Sequence, residues 1–212
     1  MTEISDLRRE FVYGGLSEED VVADPLEQVR RWYEEALRAE VPDANAMVLA
    51  TADAGGAPSA RVVLLKEIDA TGFVFYTNRA SRKGEELAAN PRAALCFYWG
   101  PLDRQVRVEG RTEPTAPAEA DLYFARRPPG SRIAAALSQQ SRPIASRQEL
   151  EERFAELERR YPAGDVPRPT TWGGYRLVPD SVELWQGRLN RLHDRLRYRR
   201  HDGGWVLERL QP

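Results

Sequence analysis

The residues able to do chemistry in this chain fall into a few short clusters. The richest lies in the segment from Trp172 to Arg200, WGGYRLVPDSVELWQGRLNRLHDRLRYRR. Trp185-Gln186-Gly187 and Arg191-Leu192-His193-Asp194-Arg195 bring an indole, an imidazole and two guanidiniums together, and His193 is one of 2 histidines in the chain. In an extended segment, residues 191, 193 and 195 point to the same side. That spacing predicts a small cationic face with a titratable ring at its centre. Such a face suits a bound anion or an electron-rich ring that accumulates negative charge. A solvated basic edge strand is the plain alternative.

Three further clusters are basic or hydroxylic. Arg61-Val62-Val63-Leu64-Leu65-Lys66 is an apolar strand with a cation at each end. Five residues separate the two cations, so a regular strand points them to opposite faces. Either a bulge intervenes or they serve two anions from different sides. Ser81-Arg82-Lys83 sits at an expected helix N-terminus, where free N–H groups and the helix dipole favour a phosphate. Tyr123 and Arg127 are i, i+4 on an expected helix and share a face. Ser131 follows a Pro-Pro-Gly break at the next helix start, and a phenol, a guanidinium and a hydroxyl there suit a second phosphate. Gln140-Ser141 is ordinary loop chemistry on its own.

The composition sets limits. A chain of 212 residues fits one domain with a real core. Lys plus Arg number 31 against 33 Asp plus Glu, which argues against a general nucleic-acid binder. Lys66 and Lys83 are the two lysines. Cys96 is alone, in the apolar run AALCFYW, so a buried thiol is expected and a disulfide framework is excluded. Two histidines and one cysteine without ligand spacing argue against zinc, and no metal is expected. There is no strand-to-helix GxGxxG fingerprint and no Walker-type loop. No run approaches the roughly 20 apolar residues of a membrane span, and no leader pattern opens the chain. The chain is expected to be soluble and cytoplasmic.

The elements that must hold these clusters are legible from their periods. Residues 1–23 are polar and charged and read as an arm or lid, with residues 24–212 as a single domain. Asp24-Pro25 opens a helix whose apolar face is Leu26, Val29, Tyr33, Ala36 and Leu37. Strands are expected at AMVLATAD, PSARVVLLKEI, FVFYT, RAALCFYW and RQVRVEGRTE. Ser81 is expected to cap RKGEELAAN. Helices are expected from Pro117 to Arg127, over RIAAALS with Ser131 as its cap, and over RQELEERFAELERRY with a Ser146/Glu149 capping box. Strands GYRLVP, SVELWQ, RLRYRR and WVLERL follow, the last two joined by an Asp202-Gly203-Gly204 turn. Antiparallel strands interrupted by helices suggest a small closed barrel with helical decoration, mainly β with helices. An open α+β sheet is the alternative.

The order of these segments resembles one family. LRREF, RVVLLK, FYTN with SRK, RQVRVEG, YFARRP, QQS, WGGYRLVPDSVELWQG and RLHDRLRY occur in the sequence of the pyridoxine/pyridoxamine 5′-phosphate oxidases. The resemblance covers nearly the whole chain, and the ordered set with the WQG and RLHDR pair is specific. It implies an FMN-binding split β-barrel that works as a homodimer, with FMN at the subunit interface. It further implies oxidation of pyridoxine or pyridoxamine 5′-phosphate to pyridoxal 5′-phosphate, with dioxygen as acceptor and release of hydrogen peroxide. Neither a nucleic acid nor a membrane is an implied partner.

By the same resemblance, the segment Arg61, Val62, Val63, Leu64, Leu65 and Lys66 lies along the cofactor. The FMN phosphate is met by Arg61, Arg82, Lys83 and Ser141. Tyr76, Thr77, Gln105, Gln140, Trp185 and Arg195 surround the ribityl chain and the isoalloxazine. Lys66, Tyr123, Arg127 and Ser131 hold the substrate phosphate. Arg191, Leu192 and His193 lie at the substrate ring, with Arg191 and His193 as the catalytic candidates. Arg8, Arg9, Glu10 and Phe11 form a lid. Phe11 stands where the family commonly has tyrosine, and residues 188–190 fall in a variable part of the motif. Two rivals remain: a phenazine-type oxidase of the same fold, and a non-catalytic flavin or pyridoxal-phosphate binding protein.

Overall fold

The computed structural model describes residues 10, 11 and 14–212. Helix α1 (Pro25–Arg38) opens as expected, with Asp24 accepting from the Leu26 N–H at 2.9 Å and Pro25 in its first turn. Its buried stripe is Leu26, Val29, Trp32 and Ala36, while Leu37 is exposed. The stripe therefore turns slightly from the expected one. The cause is Trp32, whose ring is buried under the Arg104 guanidinium at 4.4 Å.

Nine strands among the described residues form one antiparallel sheet: β1 (Ala46–Ala52), β2 (Pro58–Leu64), β3 (Glu67–Ile68), β4 (Phe73–Asn78), β5 (Arg92–Trp99), β6 (Arg104–Pro114), β7 (Trp172–Gln186), β8 (Asp194–His201) and β9 (Gly204–Arg209). The main path runs β2-β1-β5-β6-β7-β4-β3, and β8 and β9 branch from β7. Strands β2 and β3 stand at opposite ends of that path, yet only Leu65 and Lys66 separate them in the chain. The Leu65 N–H donates to the Asn45 carbonyl beside β1, at 2.8 Å. The next N–H, of Lys66, donates to the Val74 carbonyl of β4, also at 2.8 Å. Two residues thus join the two ends, and the sheet must curl until they meet.

The sequence suggested two strands where the structure has one. β7 runs through Pro179, pairing with β4 over its first half and β8 over its second. Pro179 lies opposite Gly110, where the β6–β7 register shifts. A bulge is where a sheet tolerates proline. Gly110 is required there, since a Cβ would stand 2.1 Å from the Val178 carbonyl oxygen. The β8–β9 turn has positive φ at Asp202 (47°) and Gly203 (79°), the geometry an Asp-Gly hairpin supplies.

Helices α2 (Arg82–Ala89), α3 (Pro117–Ala125), α4 (Pro129–Leu137) and α5 (Arg147–Arg160) decorate the sheet. α5 is capped by Ser146, which accepts from the Glu149 N–H at 3.1 Å. α4 begins two residues before Ser131, so Ser131 lies inside the helix and does not cap it. Proline at the first helical position starts that helix instead. The curled sheet encloses Phe73, Phe75, Phe97, Trp99, Leu177 and Leu184. A second cluster of Phe124, Ile133, Val166 and Trp172 lies beneath the helices. Leu16 joins the main core, and its N–H donates to Asp194 at 3.0 Å. Part of the polar first 23 residues is therefore anchored to the body. Truncating Phe97, which is fully buried, to alanine is expected to cost about 3–5 kcal/mol in chemical denaturation.

Candidate functional site

The joint at Leu65–Lys66 opens a cavity of about 610 Å³. One wall is β2 with Arg61, Val62, Val63 and Leu64, followed by Lys66. Tyr76, Thr77 and Asn78 of β4, Lys83 of α2, and Tyr123 and Arg127 at the end of α3 supply the others. Ser131, Ser138, Gln140 and Trp172 complete the polar and aromatic lining. Arg61 and Lys66 thus reach one cavity despite their five-residue spacing. The chain is not a regular strand between them, because it changes partners at Leu65. That residue's own side chain is buried in the core and does not line the cavity.

Among the described residues, four cations line this cavity and no carboxylate does. Lys83 is buried, with its Nζ donating to Gln140 Oε1 at 2.7 Å and to Ser81 Oγ at 3.3 Å. Burial and then the nearby Arg61 push its pKa down, opposed by Glu86. Thr77 Oγ1 donates to the same Gln140 oxygen at 3.3 Å. Ser81 holds the N-cap position of α2 but turns its hydroxyl back, donating to the Asn78 carbonyl at 2.6 Å.

Across the cavity, Tyr76, Tyr123 and Trp172 stack with nearly parallel planes, Tyr76 and Tyr123 only 4.2 Å apart. The Arg127 guanidinium lies over Trp172 at 4.9 Å and donates to the Ser131 carbonyl at 3.0 Å. Its Nε is buried without a partner among the described residues, and burial pushes its pKa down. A buried N–H of that kind is costly unless something accepts from it. Lys66 Nζ stands 5.8 Å from the Tyr123 ring centre. The donor set of this wall suits an anion. Trp172 and Asn78 were not singled out from the sequence, although both lie in quoted motifs. An aromatic at a strand start and an amide at a strand end read equally well as structure.

Arg82 and Ser141 do not line the cavity. Arg82 Nε donates to Glu86 at 2.8 Å on its own helix. Ser141 is exposed, with a left-handed φ of 73°.

A second group sits on β6, β7 and β8. Gln105, Trp185 and Arg195 are successive cross-strand partners and form one row on one face. Arg195 Nε pairs with Glu183 at 2.9 Å. Phe11 packs edge-on against Trp185 at 5.5 Å and against His193 at 5.2 Å. Gly187 is needed for that contact, since a Cβ would fall 2.5 Å from the Phe11 ring. Glu10 is exposed, and Arg8 and Arg9 lie outside the described residues.

The extended reading of residues 191–195 does not hold. Leu189–Arg191 forms a tight helical turn, with φ of 56° at Asn190 and 63° at Arg191. β8 begins only at Asp194, so alternation cannot place Arg191, His193 and Arg195 together. Arg191 and Leu192 are exposed. His193 instead turns in, and its Nδ1 accepts from the Arg188 N–H at 3.1 Å. Burial, then the charge of Arg191, holds its pKa below the usual 6.5. The ring is therefore neutral at pH 7, with its proton on Nε2.

Geometry and charge define a curled antiparallel barrel with an anion-seeking cavity and an aromatic, histidine-bearing edge. Residues 33–161 match the model of the family described as pyridoxamine 5′-phosphate oxidase. Residues 172–212 match the pyridoxine 5′-phosphate oxidase C-terminal dimerisation region. A pyridoxine/pyridoxamine 5′-phosphate oxidase of Rubrobacter xylanophilus is 58% identical over 210 residues, 99% of this chain and 97% of its own length. One from Cupriavidus taiwanensis is 56% identical over the full length of both chains. The solved structure of PhzG from Burkholderia lata 383, in complex with tetrahydrophenazine-1-carboxylic acid, superposes with a TM-score of 0.87 at 34% identity. It covers 92% of this chain and 95% of PhzG. The chain belongs to the pyridoxine/pyridoxamine 5′-phosphate oxidase family and is an oxidoreductase.

The state of His193 is open to direct measurement. Its imidazole signals in NMR are expected to titrate below pH 6.5. Because the folded chain resists this proton, acidification through that range should weaken the fold. A midpoint above 6.5 would contradict the caged, neutral ring.

Proposed function

We propose that this chain is an FMN-dependent oxidase. It converts pyridoxine and pyridoxamine 5′-phosphates to pyridoxal 5′-phosphate, with dioxygen as acceptor. The observation that carries the proposal is the cavity with four cations, a desolvated lysine and an orphaned guanidinium N–H, and no carboxylate in its lining among the described residues. That donor set fits two phosphate-bearing molecules side by side.

In this reading Arg61, Lys83, Thr77 and Gln140 hold the phosphate and ribityl end of FMN. Lys66, Tyr123, Arg127 and Ser131 hold the substrate phosphate. When bound there, flavin would supply the redox chemistry: a two-electron acceptor for the hydride equivalent of substrate C4′, reoxidised by dioxygen with release of hydrogen peroxide. The stacked Tyr76, Tyr123 and Trp172 rings exclude water from one side and fix Arg127. Arg195, held by Glu183, is a fixed positive charge suited to an electron-rich ring edge. His193 presents Nε2–H as a donor, because the Arg188 N–H already occupies Nδ1. We therefore assign it to orienting substrate and not to general-base catalysis. Arg191 supplies an exposed guanidinium beside it, and Phe11, on an arm of residues 1–23, closes over the histidine. Residues 24–212 are the flavin-binding domain.

The row of Gln105, Trp185 and Arg195 does not line the cavity of its own chain. A second copy brings the two together. Val48, Val62, Leu64 and Tyr98 are exposed, Val62 by 65%, on the strands beside the cavity. Val62, Val48 and Cys96 are successive cross-strand partners, so this apolar surface is continuous. With the dimerisation-region match, it supports a two-fold homodimer with FMN between subunits. We place the enzyme in the cytoplasm, where a lone, half-buried cysteine is stable. The phenazine-type reading draws on the PhzG likeness at 34% identity. The full-length identities of 58% and 56% favour the vitamin B6 reaction.

Three measurements test this. Lys83→Ala is expected to weaken FMN binding, and Arg127→Ala to raise substrate KM, each about ten- to a hundredfold; the reverse pattern would overturn the division of roles. Val62→Asp is expected to yield a monomer by light scattering that retains little flavin. His193→Ala is expected to lower kcat by less than about 10²-fold with FMN still bound, and a larger loss would restore the base role.

A further inference from the structure

Behind the cavity wall, outside its lining, lies a buried carboxylate that the flavin reading does not use. Glu86 sits on α2 and is 6% exposed. Its Oε2 accepts from Thr51 Oγ1 at 2.5 Å, Ser59 Oγ at 2.6 Å and an Arg61 Nη2–H at 3.2 Å. Its Oε1 accepts from Arg82 Nε at 2.8 Å. Thr51 and Ser59 are direct cross-strand partners, and Arg61 is two residues beyond Ser59, so all three share the face turned to α2. Burial works against ionising Glu86, but the bonds from Ser59, Thr51, Arg82 and Arg61 outweigh it and hold the pKa at about 2. Glu86 is therefore an anion throughout the physiological range.

The clamp leaves Arg61 little freedom. Its Nη1 donates to the Leu49 carbonyl at 3.3 Å and to Thr51 Oγ1 at 2.5 Å. Its Nη2 donates to Ser59 Oγ at 2.5 Å and to Glu86. A guanidinium has five N–H groups, and four are engaged here. The fifth, on Nε, has no acceptor among the described residues, and the side chain lines the cavity. A long, flexible cation is thereby reduced to one orientation before any ligand arrives. Glu86 also opposes the mutual repulsion of Arg61 and Lys83.

Resting on the flavin reading, we propose that Glu86 is a positioning residue for cofactor-phosphate recognition. It locks Arg61 in the orientation that meets the phosphate, with Arg82 on its second oxygen, and so favours FMN over riboflavin. Glu86 touches neither cofactor nor substrate and acts through Arg61.

The test is fluorescence titration of the full chain, freed of flavin, with FMN and separately with riboflavin. Glu86→Ala is expected to weaken FMN binding about ten- to a hundredfold and to leave riboflavin binding unchanged. Glu86→Gln should recover most of the loss, because the amide oxygen still accepts from Thr51, Ser59 and Arg61. Unchanged or tighter FMN binding by Glu86→Ala would show that Glu86 only offsets surplus positive charge. Equal losses for FMN and riboflavin would show a general structural role. Either result overturns the proposal. Should Glu86→Ala fail to fold, Ser59→Ala removes one clamp bond and should cost about two- to tenfold in FMN affinity alone; parent-level affinity there overturns the proposal too. If the parent chain binds no FMN, the flavin reading fails before any variant is compared, and this inference falls with it.

Discussion

The site depends on the two-residue joint at Leu65–Lys66. A seven-strand path whose first and last strands are neighbours in sequence cannot lie flat. The backbone N–H of Leu65 pairs toward β1 and that of Lys66 toward β4, so the joint is held from both sides. At such a closure the ladder is interrupted, and the space left open becomes the cavity. The same interruption breaks the strand parity that would send Arg61 and Lys66 to opposite faces. Fold and cavity are thus one consequence of a single connection.

How much of this was legible in the sequence depends on the range of the interaction responsible. Strands β4, β5 and β6, and the Asp24-Pro25 and Ser146 helix starts, follow from local period and capping, and they appear where expected. The joint does not follow, because PSARVVLLKEI reads as one strand until its hydrogen-bond partners are known. β7 fails in the opposite sense. Pro179 reads as a break, but the bulge at Gly110 on the neighbouring strand accommodates it. The family resemblance named Arg61, Lys66, Lys83, Tyr123, Arg127, Ser131 and Gln140 as candidates, and one cavity is lined by all seven.

The RLHDR segment shows where periodicity misleads. Alternation holds only in a paired strand, and pairing with β7 begins at Asp194. Before it, two consecutive left-handed residues, Asn190 and Arg191, turn the chain. Non-glycine residues in that region are held there by their surroundings. Here the Arg188 N–H to His193 bond and the Trp185–His193 contact at 4.7 Å do the holding. A turn, and not a strand, therefore sets the geometry of Arg191 and His193.

One electrostatic device appears twice. Glu86 is buried and engages Arg61 and Arg82; Glu183 is buried and engages Arg107 and Arg195. The family resemblance directs Arg61, Arg82 and Arg195 at the cofactor and leaves Arg107 unassigned. Burying a charge is costly unless it is fully hydrogen-bonded, and each carboxylate meets that condition through guanidiniums from more than one element. The arrangement converts flexible cations into fixed ones while keeping the local charge near balance. It also fits a chain with a formal net charge of −2 to a cavity whose charged lining, among the described residues, is four cations. For the cavity, the negative charge of Glu86 stands behind the lining, where it orients Arg61 without facing the cavity itself.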